Sequence, residues 1–488
     1  MNSNCSILDS VLFISFVFYS IIGCYIFGTC YGKDDKKIVD EVVRFIRMRN
    51  LVVVTMIFVI SYSNISSLMG QTSARLSLTE CVRLAVEHNP ILKQTELNVY
   101  RNQVNYKQAH YNRLPSLEGN IEHGYNEGRS VNATTNQFVN TSYYSGGQSL
   151  YFSAPIFNGF QVLHDIRRRA SAREAGKFEF EGAVNELKLD VMEAYVMVLT
   201  AQDMLQQMEG QLAVTQENVG RMEIMQREGA ADPGDFYDLK GQLRTDQNLL
   251  ETNKQVLYNR RLRLAALLNI AINELPELEP LPFSIDQNRY SEMDLYYTAM
   301  EVLPQFKALD WRVEEAQQQV KVMKADYYPS LSLSASIQSR FSSIDESGFT
   351  YWQQFKNYPA KGVSLNLRIP IFNKMKVRTQ VKLAKLDLDE VSWERKILEN
   401  RVREETAKAV FSMKTLQENV NNLREQEQSY QEAFRIAQVH FDAGNSNSVL
   451  FLTAKNKLDN TRNALVIKQY EWIMQKYIND YYAGTLDF

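Results

Sequence analysis

Scarcity marks this chain before anything else does. Of its 488 residues only 11 are proline and 21 glycine, so few points force a helix to stop or a turn to form. Long uninterrupted helices are the expected consequence. Cysteine is scarcer still, with Cys5, Cys24, Cys30 and Cys81 alone. Without the first thirty residues Cys81 has no partner, which excludes an internal disulfide framework and a cysteine-rich metal centre, and fits a secreted or envelope protein. The charges nearly cancel, 54 Lys and Arg against 57 Asp and Glu for a formal −3, too little of either sign to attract nucleic acid. The histidines His88, His110, His123, His164 and His440 are dispersed, and no pair has the i, i+4 spacing of metal ligands. No phosphate loop, nucleophile elbow or acid–base pair stands out, so neither catalytic residues nor a cofactor is expected, and an enzyme reading has little support.

What the chain does contain is a long apolar repeat. Val184, Leu187, Val191, Ala194, Val198, Ala201, Leu205, Met208, Leu212, Thr215, Val219 and Met222 follow one another in alternating steps of three and four. That is the seam of a coiled coil, in which one stripe stays against a partner over many turns. The same phase recurs in Val402, Thr406, Ala409, Met413, Leu416, Val420 and Leu423, each 215 residues after its counterpart. Other landmarks repeat at nearly the same offset. Leu303 and Pro304 answer Asn89 and Pro90; Tyr328, Pro329 and Ser330 answer Leu114, Pro115 and Ser116; Pro370, Ile371, Phe372 and Asn373 answer Pro155, Ile156, Phe157 and Asn158; Gly444 answers Gly229. A period this long indicates a duplicated domain rather than a solenoid.

The N-terminus carries two apolar runs. Residues 51–62 follow Arg44, Arg47 and Arg49 and precede a small polar stretch, the order of a secretory signal peptide with cleavage expected within residues 69–74. Residues 11–31 are uncharged and long enough to span a bilayer. They are either a membrane segment or part of an over-long start, with translation beginning at Met48. A lipoprotein-like box at residues 21–24 lacks preceding Lys or Arg. The expected divisions are therefore 1–47 as over-long start or membrane segment, 48–74 as signal peptide, 75–284 as a first structural repeat and 285–488 as a second.

Within each repeat the pattern reads helix, strand, strand, long helix, turn, helix. Ser77 and Glu80 have capping-box spacing, Asn89 and Pro90 mark a break, and Leu117, Gly119, Ile121, His123 and Tyr125 alternate with polar residues as a strand. Residues 126–147 read as a loop and residues 150–157 as a second strand. Residues 161–228 hold no proline, and ~68 residues at 1.5 Å each make a rod of roughly 100 Å. Residues 229–234 are a reverse turn, with a helix expected over 235–272 and a linker over 276–284. In the second half Leu331, Leu333, Ala335 and Ile337, then Val363, Leu365, Leu367 and Ile369, give two more strands, joined by an aromatic linker over residues 342–361. Two strand pairs cannot close a barrel alone and leave exposed edges, so oligomerisation is the economical solution. Strands apolar on one face and polar on the other suit a membrane barrel with a wet interior.

The duplicated plan, the Pro-Ser-Leu and Pro-Ile-Phe-Asn motifs and the glycine turns resemble the TolC-like outer-membrane efflux proteins, from about Leu76 to the C-terminus. The resemblance implies an α+β membrane protein and a homotrimer. Four strands from each protomer would form a twelve-stranded outer-membrane β-barrel in contact with lipid, continued by a periplasmic α-helical coiled-coil tunnel. It implies a passive exit duct of a tripartite efflux or type I secretion system, fed by a periplasmic adaptor protein and an inner-membrane pump. The rival is a non-conducting coiled-coil envelope scaffold, which would not require the four alternating strands. The tyrosines and phenylalanines at residues 143–152 and 341–358 fit anchors at the lipid interface.

By the same resemblance, the turns at Gly229 and Gly444 form the periplasmic tip, where adaptor docking and gating reside. Asp235, six residues after Gly229, matches an aspartate that helps hold relatives closed. Its partners there, a tyrosine and an arginine flanking the second glycine, are replaced here by Phe441 and Ser446. Where some relatives carry luminal carboxylates, this chain has Leu450 and Thr453. The closure network must therefore differ. Asp232, Asp235 and Asp238 either form a substitute acidic ring, or Asp232 and Asp235 simply cap the helix after the turn.

Overall fold

The computed structural model describes residues 75–132, 135–229, 232–285 and 290–486. The expected start site, membrane segment, signal peptide and lipoprotein-like box lie outside them. From Arg75 onward the chain forms one compact unit.

Helix α1 (Leu78–His88) begins where the Ser77 hydroxyl accepts the Glu80 amide at 3.3 Å. It ends at Asn89, whose side chain caps α2 (Pro90–Tyr111) by accepting the amides of Ile91 and Leu92. The break thus arises from one residue closing one helix and opening the next ahead of a proline. Strands β1 (Ser116–Val131) and β2 (Phe138–Asn158) follow, then α3 (Gln161–Arg227) and α4 (Pro233–Leu268). After a short 3₁₀ turn and the linker come α5 (Glu292–Val302), α6 (Pro304–Ala325), β3 (Ser330–Ser342), α7 (Tyr351–Asn357), β4 (Ala360–Arg368), α8 (Lys376–Asp442) and α9 (Ser448–Ala483). Helices α3 and α8 each have 67 residues, and α4 and α9 each 36. Both long helices leave the sheet through a pair of left-handed residues, Gly159 and Phe160 in one case, Lys374 and Met375 in the other. Three of these four are not glycine, so the sharp exit is held against local strain of roughly 1–3 kcal/mol per residue.

The seam residues lie in the core. Leu187, Val191, Ala194 and Val198 join Leu264 and Leu268 of α4, Met413 and Leu416 of α8, and Trp472 and Ile473 of α9 in one buried cluster that also takes in Cys81 and Ala85. Val402 and Ala409 pack with Leu295, Ala299 and Phe306 in a second. Each Val, Leu, Ile, Phe or Met side chain so withdrawn from water contributes about 1.5–3 kcal/mol before entropy is subtracted. The Tyr195 hydroxyl ties the linker down by meeting the carbonyls of Leu76 at 2.9 Å and Glu279 at 2.6 Å, and burial raises its pKa well above the usual phenol.

The four strands form one antiparallel sheet in the order β1-β2-β3-β4. Register sets Leu117, Phe152, Ala335 and Val363 in one row and Glu118, Tyr151, Ser336 and Gly362 in the next. One face is therefore apolar and the other polar. Most of the loop expected over residues 126–147 is instead strand, paired as far as Val131 with Phe138. Beyond Tyr125 both faces are polar, so no alternation betrays the strand, although backbone pairing continues. The aromatic linker likewise contains α7.

Candidate functional site

The two helix turns sit side by side at the end of the long helices. Gly229 and Gly444 each adopt φ +70°, the left-handed closure of a helix that glycine adopts without a Cβ penalty. Asp232 caps α4, its Oδ1 accepting the Gly234 amide at 2.7 Å. Asp235 does something else. Its Oδ1 accepts the amide of Ser448 at 2.8 Å, while Asp238 Oδ2 accepts the Ser448 hydroxyl at 2.9 Å. Two carboxylates of α4 thus converge on the first residue of α9, where unpaired amides and the positive end of the helix dipole favour an anion. Ser448 is fully buried beneath them, and Asn447 completes the cap by accepting the Leu450 amide.

Below this bridge lies a small apolar core of Met222, Phe236, Leu239, Phe441 and Phe451. Phe441 stacks on Phe451 with ring centroids 4.8 Å apart, so its ring is core rather than part of a polar network. Ser446 is half-buried in the α8–α9 turn, and Leu450 stands exposed at 61% beside Val449. A second link ties the long helices together, an ion pair between Arg221 of α3 and Asp442 of α8, with Glu217 also on the guanidinium at 3.3 Å.

Further along the hairpins a buried charge cluster joins three helices. Lys455 of α9 is 2% exposed, with Nζ 3.2 Å from Asp246 Oδ2 of α4 and 2.7 Å from Asp459 Oδ2. Asp246 also accepts the Thr215 hydroxyl of α3 at 2.5 Å and the Gln242 amide at 2.7 Å. Burial is the largest influence on Asp459 and raises its carboxyl pKa, against the opposing pull of Lys455. Sequence reading singled out Asp232, Asp235 and Asp238 but missed Arg221, Asp442, Ser448 and the Lys455 cluster. Only the i, i+4 spacing of Lys455 and Asp459 could have hinted at the last.

The chain thus combines an antiparallel sheet, apolar on one face, with two pairs of very long helices. The chain matches the outer membrane efflux protein family over residues 81–269 and 295–475, and it belongs to that family. Its place is the outer membrane. The family is one of efflux ducts, not an enzyme class. Among curated relatives, the solvent efflux pump outer membrane protein SrpC of Pseudomonas putida is 23% identical over 411 residues, covering 81% of this chain and 83% of its own. The alkaline protease secretion protein AprF of Pseudomonas aeruginosa is 22% identical over 439 residues, covering 86% and 87%. Among solved structures, the Campylobacter jejuni CmeC outer membrane channel matches with TM-score 0.72 at 18% identity over 86% of this chain and 90% of that one. VceC of Vibrio cholerae matches with TM-score 0.69 at 19% identity, covering 84% and 97%.

Proposed function

We propose that three copies of this chain close their sheets into a twelve-stranded barrel and continue it with their helices as a tunnel. The assembly is a passive exit duct for cargo handed over by a periplasmic adaptor and an inner-membrane pump. The observation that carries this is the sheet. One face is apolar and exposed, and β1 and β4 lie at its two edges, an arrangement that a bilayer tolerates only when closed. Two further stripes support the trimer. Leu97, Tyr100, Val104 and Tyr111 on α2, and Leu383, Leu386, Trp393 and Ile397 on α8, are more than half exposed and keep heptad spacing, as helices awaiting a neighbour do. The halves 75–284 and 285–488 serve as two quasi-equivalent staves. Relatives named for solvent efflux and for protease secretion support a generic duct whose pump selects the cargo.

The tip is the gate in this reading. Asp235 and Asp238 on Ser448, together with Arg221 on Asp442, hold the hairpins together where relatives use a tyrosine and an arginine. Purified protein in planar bilayers tests the proposal. Trimers with discrete conductance steps are expected; absence of both trimer and pore would overturn the duct.

A further inference from the structure

Helix α7 interrupts the connection between the last two strands, and register fixes which side of the sheet it covers. His123 of β1, Gly146 of β2 and Phe341 of β3 form one row, and Ile121, Gln148 and Ser339 the row below it. Stepping on by two reaches Leu150 and Ile337, then Phe152 and Ala335, so all belong to the apolar face. Helix α7 is fastened there. The Ser339 hydroxyl donates to the Phe355 carbonyl at 2.8 Å, and Gln354 Oε1 accepts the Ser342 amide at 2.9 Å. Tyr351 packs its ring 4.6 Å from Phe341 and 5.7 Å from His123, which themselves stack across Gly146. A Cβ on Gly146 would come within 2.6 Å of the His123 ring, so a glycine there lets the platform form. Trp352 is left 72% exposed and Phe349 39%.

The height of the helix follows from strand geometry. Leu331 pairs with Leu367 at the lower end of the apolar face. Phe341 lies ten residues further, and at ~3.4 Å per residue with a ~40° tilt this is roughly 26 Å along the membrane normal. The lipid-facing band of such barrels is ≈ 25 Å tall, so α7 falls at its upper boundary. There an aromatic with a polar atom is favoured, and long lysines on the face, such as Lys361 in the row of Ile337, can extend toward headgroups.

We propose that α7 is an interfacial anchor on the outside of the barrel, with Trp352 inserted at the headgroup–acyl boundary of the outer leaflet. It is neither a plug in the lumen nor a free surface loop. The proposal rests on the barrel reading above, and the occupant is lipid because the surface is continuous with the lipid-facing band.

Full-length trimers are reconstituted in phosphatidylethanolamine–phosphatidylglycerol liposomes, in a background with Cys5, Cys24 and Cys30 replaced by Ser and the buried Cys81 retained. A fluorophore is attached at Trp352→Cys, at Leu365→Cys on the apolar face or at Gln338→Cys on the polar face. Nitroxide lipids then quench from a shallow or a mid-chain position, and iodide from the aqueous phase. The label at 352 is expected to lose most of its emission to the shallow nitroxide and little to the mid-chain one or to iodide. The label at 365 should respond to lipid quenchers and that at 338 to iodide alone. If 365 responds to lipid while 352 responds only to iodide, the anchor is overturned and the barrel stands. If 365 also ignores lipid, the barrel reading fails first.

Discussion

Replacing Lys455 with methionine tests what holds three of the hairpin helices, α3, α4 and α9, in register. Lys455 lies between Asp246 and Asp459 with its side chain nearly sealed from water, so the cluster carries two carboxylates for one ammonium. Removing the cation leaves both acids buried and mutually repelling. Breaking one partner out of a buried pair costs about 3–5 kcal/mol, which at 1.36 kcal/mol per tenfold corresponds to roughly two to three and a half orders of magnitude in local opening. Amide exchange in α4 and α9 around the cluster reads this directly, without requiring reversible unfolding of a trimer. Asp459→Asn should do far less, because Lys455 keeps Asp246 and an amide oxygen. Asp459 also supplies a pH sign. Its native pKa is raised, so the folded state holds the proton more tightly than the unfolded chain, and the stability this confers is present at low pH and lost as pH rises through the native value. Protection around the cluster, relative to Asp459→Asn, should therefore be greatest at or below the ordinary aspartate pKa of about 3.9 and should fall as pH rises above it. Wild-type-like exchange in Lys455→Met, or equal losses in both variants, would refute the reasoning.

Asp235→Ala removes an acceptor from the N-terminus of α9, worth about 1 kcal/mol as a cap, and should admit large antibiotics that the closed duct excludes; unchanged drug sensitivity would leave Asp235 a cap and no gate. Val104→Glu and Trp393→Glu place charge on the two unpartnered heptad stripes and should each shift detergent-solubilised protein from trimer to monomer, measured by light scattering, while Glu223→Gln on an exposed helical surface should not. Burial pushes the Cys81 thiol up to about 12, so maleimide at pH ~8 should leave it unlabelled until denaturant is added; prompt labelling of the folded protein would contradict the packing of α1.

The features readable in the sequence were those with a period. Heptad steps gave the seams, alternation gave the apolar face from Leu331 to Ile337, and proline and glycine landmarks marked where elements end. What escaped had none. The strand beyond Tyr125 is polar on both sides, and only backbone pairing, such as Glu127 with Ser142 and Gly128 with Thr141, reveals it. The bridge from Asp235 to Ser448 spans 213 residues and the pair of Arg221 with Asp442 spans 221, and nothing local in a chain predicts which carboxylate meets which helix end. The resemblance pointed to Asp235 but not to its partner, because the flanking residues of relatives are absent here.

These long-range polar contacts also have a position that apolar packing alone does not explain. The tip core has five buried members, whereas the cluster around Val191 and Trp472 is several times larger, so opening should begin at the turns, where least apolar area is at stake. Lys455 stands 11 residues beyond Gly444 and Asp246 17 beyond Gly229, or roughly 17–25 Å up the hairpins. Apolar seams resist separation but slide past one another at little cost; a buried lysine held by two helices has one acceptable register. The cluster therefore divides a tip free to part from a shaft that is not. Amides between residues 215 and 246 should accordingly exchange together as one unit, ahead of those around Val191. Simultaneous exchange of tip and shaft would mean that Lys455 sets no boundary and that the hairpins open along their whole length.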